Sequence, residues 1–155
     1  MSTSSQLEDK WETYVFLQTA VQALSSKYYF FDIIEDSESE VQRFFTGEEI
    51  NFFQCLIVRG HRQLMTSVLQ YDFTIQLSYY RTKSEDPSGA NWTEVRDGLE
   101  TLFDTAYTTL GPTMQGTVDY WEPQEGPPNI DTIQIADESV WRGIYIINAT
   151  QQISI

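Results

Sequence analysis

From Leu69 to Tyr80 apolar and polar positions alternate: Tyr71, Phe73, Ile75, Leu77 and Tyr79 are separated by Asp72, Thr74, Gln76, Ser78 and Tyr80. A period of two, rich in aromatic and β-branched residues, predicts a strand with one buried face. Such a face needs an apolar layer laid across it. Trp92, Val95, Leu99, Leu102, Phe103, Ala106 and Leu110 recur at steps of three and four, which places them on one stripe of a helix. Asn91, three residues ahead of Glu94, has the pattern of an N-cap with a reciprocal acid. Asp97, Glu100 and Asp104 keep the far side of that helix wet, and Gly111-Pro112 stops it.

The remaining segments fit around this pair. Leu7, Trp11, Tyr14, Val15, Val21 and Leu24 keep a helical period broken only at Gln18, so Gln6 to Ser25 is expected to be one amphipathic helix behind a frayed Ser2 to Ser5. Tyr28 to Ile34 is dense in aromatics without a clean period, and is either a short strand or part of a second helix. Glu35 to Glu40 is an acidic loop leading to a short helix near Val41 to Phe45, closed by Gly47. Ile50 to Arg59 is an apolar strand. It is joined through an irregular connection, Gly60 to Ser67, to the alternating strand as an antiparallel hairpin.

Arg81 to Ala90 is a loop, punctuated by Pro87, Ser88 and Gly89. Thr117 to Trp121 is a short strand, and Glu122 to Asn129, with Pro123, Pro127 and Pro128, a stiff extended loop. Ile130, Ile133 and Ile135 suggest another strand, and Asp137 to Ser139 a turn. Val140 to Ala149 is the last strong strand. Trp141, Tyr145 and Ile147 lie on one side of it and Val140, Ile144 and Ile146 on the other, as in a strand deep in the fold or at a subunit contact. Thr150 to Ile155 is either a free end or a strand added to a neighbour's sheet. The expected fold is α+β: one domain, an antiparallel sheet of about four to five strands with two main helices packed on one face.

Charge changes this picture most. Among 155 residues, 9 Lys and Arg stand against 23 Asp and Glu, a formal net charge of −14. Such a surface repels phosphate and gains nothing from counterion release, which disfavours gripping DNA or RNA. Within this acidic chain Arg59, Arg62 and the one histidine, His61, form a basic island at the hairpin connection. The N-terminal residues have neither the basic nor the apolar region of a signal peptide, and no apolar run is long enough for a membrane-spanning helix.

Reaction chemistry is sparse. Cys55, the one cysteine, reads as buried within a strand, where thiols are inert, and His61 is the single imidazole base. Nucleotide and zinc motifs are absent, and the acidic run Glu35 to Glu40 lacks the glycine and ligand spacing of a calcium loop. The residues predict a protein that is not an enzyme and carries no cofactor or metal. Trp92 and Trp141 read as core packing.

The order helix, apolar hairpin, helix, antiparallel strands resembles the tail terminator (tail completion) proteins of long-tailed bacteriophages. Four passages carry the resemblance across residues 50–150. They are Cys55-Leu56-Ile57-Val58-Arg59-Gly60 leading into Tyr71 to Leu77; Trp92 to Leu99; Thr109-Leu110-Gly111-Pro112-Thr113-Met114-Gln115-Gly116-Thr117-Val118; and Val140 to Ile147. The resemblance implies a structural virion protein of the neck, assembled in the host cytoplasm. It would form a homo-hexameric ring on the head-proximal end of the tail tube, end tube polymerisation and dock a head-side connector or stopper protein. A sheath protein is a further partner if the tail is contractile. An acidic lumen would let DNA slide through without specific binding, and no membrane is involved. In a ring, Arg59, His61, Arg62, Trp121, Pro123, Pro127, Pro128 and Trp141 are the candidate interface residues. Two rivals stand beside this reading: another head-tail connector or stopper, and an acidic DNA mimic that blocks a host nucleic-acid-binding protein.

Overall fold

The computed structural model describes residues 2–30, 50–83, 90–135 and 138–154. Outside them lie the expectations for Phe31 to Ile34, the acidic run at Glu35 to Glu40, the short helix near Val41, Gly47, most of the loop before Ala90, Asp137 and Ile155.

The alternating stretch forms β3 (Val68–Thr82), the strand around which the sheet is built. It pairs antiparallel with β2 (Asn51–Met65) on one side and with β6 (Glu138–Ser154) on the other. A two-residue strand, β1 (Tyr28–Tyr29), joins β2 in parallel. Along the other side of β6 lie β4 (Tyr120–Pro123) and then β5 (Asn129–Ile135). The architecture is α+β, a mostly antiparallel sheet. Among the described residues it has six strands rather than four to five, because a two-residue strand such as Tyr28–Tyr29 is too short to show any period.

Directly paired residues share a face. Phe53, Cys55 and Ile57 of β2, Phe73, Ile75, Leu77 and Tyr79 of β3, and Gly143, Tyr145, Ile147 and Ala149 of β6 therefore form one apolar surface. The helices cover it: α1 (Thr3–Trp11) with the π-helical turn Glu12–Phe16, α2 (Thr19–Gln22) and α3 (Ala90–Leu110). Leu7, Trp11, Val15, Phe16 and Val21 meet Val95, Leu99, Leu102, Ala106 and Leu110 in one core with the sheet. On the opposite face a smaller cluster of Ile50, Phe52, Tyr80, Ile135 and Val140 is also buried.

The single N-terminal helix predicted from Gln6 to Ser25 is broken. Leu17 N–H donates to the Glu12 carbonyl, a π-type bond. The extra residue in that turn brings both Val15 and Phe16 into the core, although they are neighbours in sequence. Gln18 is extended (φ −70°, ψ 144°), and Gln22 Nε2 donates to the Phe16 carbonyl freed by the break (2.8 Å). The start is not frayed: Ser2 caps α1 by accepting from Ser5 N–H.

Elsewhere the boundaries move. α3 begins at Ala90, so Asn91 sits inside its first turn rather than at its cap. Trp92 is 38% exposed rather than in the core. Its ring lies beneath the Arg96 guanidinium, 5.6 Å away. After Gly111 (φ 69°), the positive φ of Met114, Gln115 and Gly116 coils the chain, so the next strand starts at Tyr120 and not at Thr117. Glu138 and Ser139 are paired strand residues of β6, not a turn. Thr150 to Ser154 is neither free nor lent to a neighbour, since it pairs with Val68 to Asp72 of its own chain.

Candidate functional site

The largest departure from expectation is at the basic island. Gly60 to Ser67 is not an irregular connection. β2 runs through to Met65, and the chain turns only at Thr66 and Ser67 before β3 begins at Val68. Gly60 pairs with Asp72, His61 with Tyr71 and Arg62 with Gln70. With the end of β6 beside it, this hairpin forms a ribbon. Every residue from Val58 to Ser67 in it is exposed.

Arg59, His61 and Arg62 are therefore held on a strand. The Arg59 guanidinium stacks 4.3 Å over the Tyr71 ring, and Arg62 Nε lies 3.7 Å from Asp72 Oδ2. Val58, Leu64 and Met65 expose large apolar surface beside them. The outer edge of β2 is paired with β1 only at Phe53 and Gln54. From Cys55 to Met65 no partner strand exists among the described residues. On the opposite side of the ribbon Asp119 blunts the β6 edge, accepting from Gln152 N–H at 2.7 Å.

A second locus is at the C-terminal half of α3. The Trp121 ring is edge-on to Phe103 and to Tyr107, and Phe103 is edge-on to Tyr145. Trp121 Nε1 donates to the Gly111 carbonyl (2.7 Å), which fixes the indole against the end of the helix. Phe103, Tyr107, Gly111, Pro112, Trp121 and Pro123 line a cleft of ≈ 430 Å³. A smaller cleft of ≈ 260 Å³ shares Phe103 and takes in Glu100, Asp104, Pro128 and Tyr145. Gln124 holds the proline loop in place: its backbone N–H donates to Ile146 O, its Oε1 accepts from Ile146 N–H, and its Nε2 donates to the Pro127 carbonyl.

The structure thus brings Trp121, Pro123 and Pro128 together, with Pro127 in the same loop, and keeps them apart from the basic ribbon. Trp121, Ala149, Phe73 and Arg59 stand in one cross-strand row, three strand spacings or about 14 Å from end to end. Trp141 belongs to neither locus; it is half-buried, with Lys83 Nζ 4.9 Å over its ring. Tyr107, 68% exposed, is the member of the cleft that pattern reading missed. Its position four residues after Phe103 was the available signal, because the two rings stack along the helix.

No protein-family model matches this chain, and no curated protein matches it.

The remaining chemistry centres on Cys55. Its side chain is fully buried. Burial, and secondarily the Glu8 carboxylate, push the thiol well above its ordinary value. The neutral thiol is the form the fold holds, so the stability it carries is complete below the unfolded thiol value and is lost as pH rises past it. Above about pH 8.5 the protein should lose stability at up to about 1.4 kcal/mol per pH unit from this group. Burial also raises Tyr79, which extends the loss at higher pH. Urea melts at pH 7, 8.5 and 9.5 measure the trend. A thiol reagent should label Cys55 only at the rate of unfolding, and rapid labelling of the native protein would contradict the burial. Among the described residues no group of three or more His, Cys, Asp or Glu is placed to hold a metal ion, and no helix is long and apolar enough to cross a membrane.

Proposed function

We propose that this chain is a structural subunit of a bacteriophage neck, a tail terminator. Copies of it close into a ring, hexameric by resemblance, that caps the tail tube, ends its polymerisation and joins it to the head-side connector. The observation that carries this reading is the ribbon. An edge from Cys55 to Met65 that is open among the described residues, with Val58, Leu64 and Met65 exposed beside it, is a template for pairing with another chain. It has none of the prolines or lysines that commonly protect such an edge. Heterologous contacts of one edge with a different surface of the next copy generate rings when the rotation closes. The net charge of −14 per subunit, multiplied around a ring, gives a lumen to which DNA does not adhere. Arg59 and His61 lie on one face of the projecting ribbon, suited to an acidic surface of the adjacent copy, while Arg62 lies on the other face beside Asp72.

Native mass measurement of the purified protein, alone and mixed with tail tubes, tests the reading. The expected result is a closed oligomer at tube ends. The double variant Val58→Lys with Leu64→Lys should fold with a stability within about 0.5 kcal/mol per site of the parent, remain monomeric, and leave tubes of uncontrolled length. A parent protein that stays monomeric with and without tubes sinks the proposal. A ring that binds the head-side portal assembly but ignores tubes makes the chain a connector or stopper. Tight, salt-sensitive binding of the monomer to a nucleic-acid-binding enzyme makes it a DNA mimic.

A further inference from the structure

The ring reading is carried by the ribbon. Trp121, Pro123 and Pro128, expected as ring contacts, line the aromatic cleft instead, and its composition points to a different kind of contact. Phe103, Tyr107, Trp121 and Tyr145 present ring faces and edges across α3, β4 and β6, with Pro112, Pro123 and Pro128 at the margins. The surface is partly open, with Tyr107 68% exposed. It is also preorganised. Trp121 spends its only donor on Gly111 O, and Gln124 pins the loop that forms the rim, so an incoming segment has little to order.

Aromatic-lined grooves of this kind suit polyproline II segments, whose rings pack flat between aromatic side chains and whose backbone is already extended. The electrostatics select the sign of the partner. Glu100 and Asp104 line the adjoining cleft, Glu122 and Glu125 follow Trp121, and from Asp97 to Trp141 the sequence contains no Lys, Arg or His. A second copy of this chain is disfavoured as the occupant. Its own proline loop carries Glu122 and Glu125 and would bring like charge onto Glu100 and Asp104.

We propose that the cleft between α3 and the loop joining β4 to β5 binds an extended, proline-containing segment of a partner protein with Arg or Lys beside its prolines. The prolines pack on Tyr107 and Trp121, and the cation faces Glu100 and Asp104. The segment docks on the finished fold, so the contact does not depend on assembly into a ring.

The test uses the full chain and a fluorescein-labelled peptide of repeated Arg-Pro-Pro units, followed by anisotropy and by the indole N–H resonance of Trp121. Saturable binding that shifts the Trp121 signal is expected. Tyr107→Ala, at an exposed position, should weaken it by about tenfold. Glu100→Gln with Asp104→Asn should weaken it and flatten its salt dependence. Circular dichroism confirms that both variants are folded. Several results overturn the proposal: equal affinity for repeated Arg-Ala-Ala units, which is charge attraction without a groove; equal affinity for Glu-Pro-Pro units; variants that bind like the parent; or tighter binding of a peptide spanning residues 121–130, which makes a second copy the occupant.

Discussion

Gly143→Val should destabilise the protein by about 3 kcal/mol, near the upper end for overpacking a core, and lower its melting temperature by roughly 6–12 °C. A Cβ at Gly143 would meet Leu99 Cδ1 and lie 2.7 Å from Val95 Cγ1. Both side chains are buried on α3, so neither can swing into solvent. Gly143 is directly opposite Tyr79 in the β3–β6 pair. On the helix, Gly98 leaves room for the Tyr79 ring, which a Cβ there would strike at Cδ2 and Cε2. That ring cannot retreat either, because it is stacked on Phe53 with centroids 4.3 Å apart. Two glycines, one on each layer, thus set how closely α3 lies on the sheet.

Gly98→Ala separates helix propensity from packing. Alanine should gain up to about 1 kcal/mol in the interior of a helix, yet the contact with Tyr79 should outweigh this and leave the variant about 1–2 kcal/mol less stable. Thermal and urea melts of both variants measure the effect. A more stable Gly98→Ala protein would mean that α3 rides higher on the sheet than described.

Trp11→Ala should cost about 4 kcal/mol. Trp11 is fully buried where α1 gives way to the π turn, and it packs with Leu7, Val15 and Phe16 against the sheet. Its removal leaves a large void under the N-terminal segment. Trp11→Phe should cost much less, about 1 kcal/mol, because two effects oppose each other. Volume is lost, but the indole Nε1, buried with no hydrogen-bond partner among the described residues, is removed as well. Equal losses for the two variants in urea titrations would show that the indole N–H is satisfied after all.

Legibility followed burial closely. Towards the end of β3 Ser78 and Tyr80 are buried as well, so the strand is covered there on both faces rather than one. Its first part could be read because Phe73, Ile75 and Leu77 face the core and Thr74 faces out, so alternation in sequence mirrors alternation in environment. The stripe of α3 was legible for the same reason, apart from Trp92 at its exposed first turn. The ribbon was not. From Val58 to Ser67 all side chains are exposed, so no apolar period marks the strand. His61 and Arg62 consequently read as a loop and Arg59 as the end of the strand, although the hydrogen-bonded register carries β2 on to Met65. The break in the N-terminal helix was hidden for a related reason. A π turn buries the adjacent residues Val15 and Phe16, and a fixed step of 3.6 cannot express that.

The candidate cleft was half visible. Trp121 and the prolines stand out in the sequence as unusual residues in an acidic stretch. Their convergence with Phe103, Tyr107 and Tyr145 depends on β4 pairing with the far end of β6, a contact between segments that no local pattern connects.

The sequence alone determined the class of fold, the strand at its centre, the helix laid over it, and the acidic surface, because each is written in local periodicity or in a sum of charges. Only the tertiary structure decided where the sheet outruns its helices, which edge stays open, and which aromatics meet. Those outcomes rest on strand register and on the close approach allowed at Gly98 and Gly143, and both are set by contacts between residues far apart in the chain.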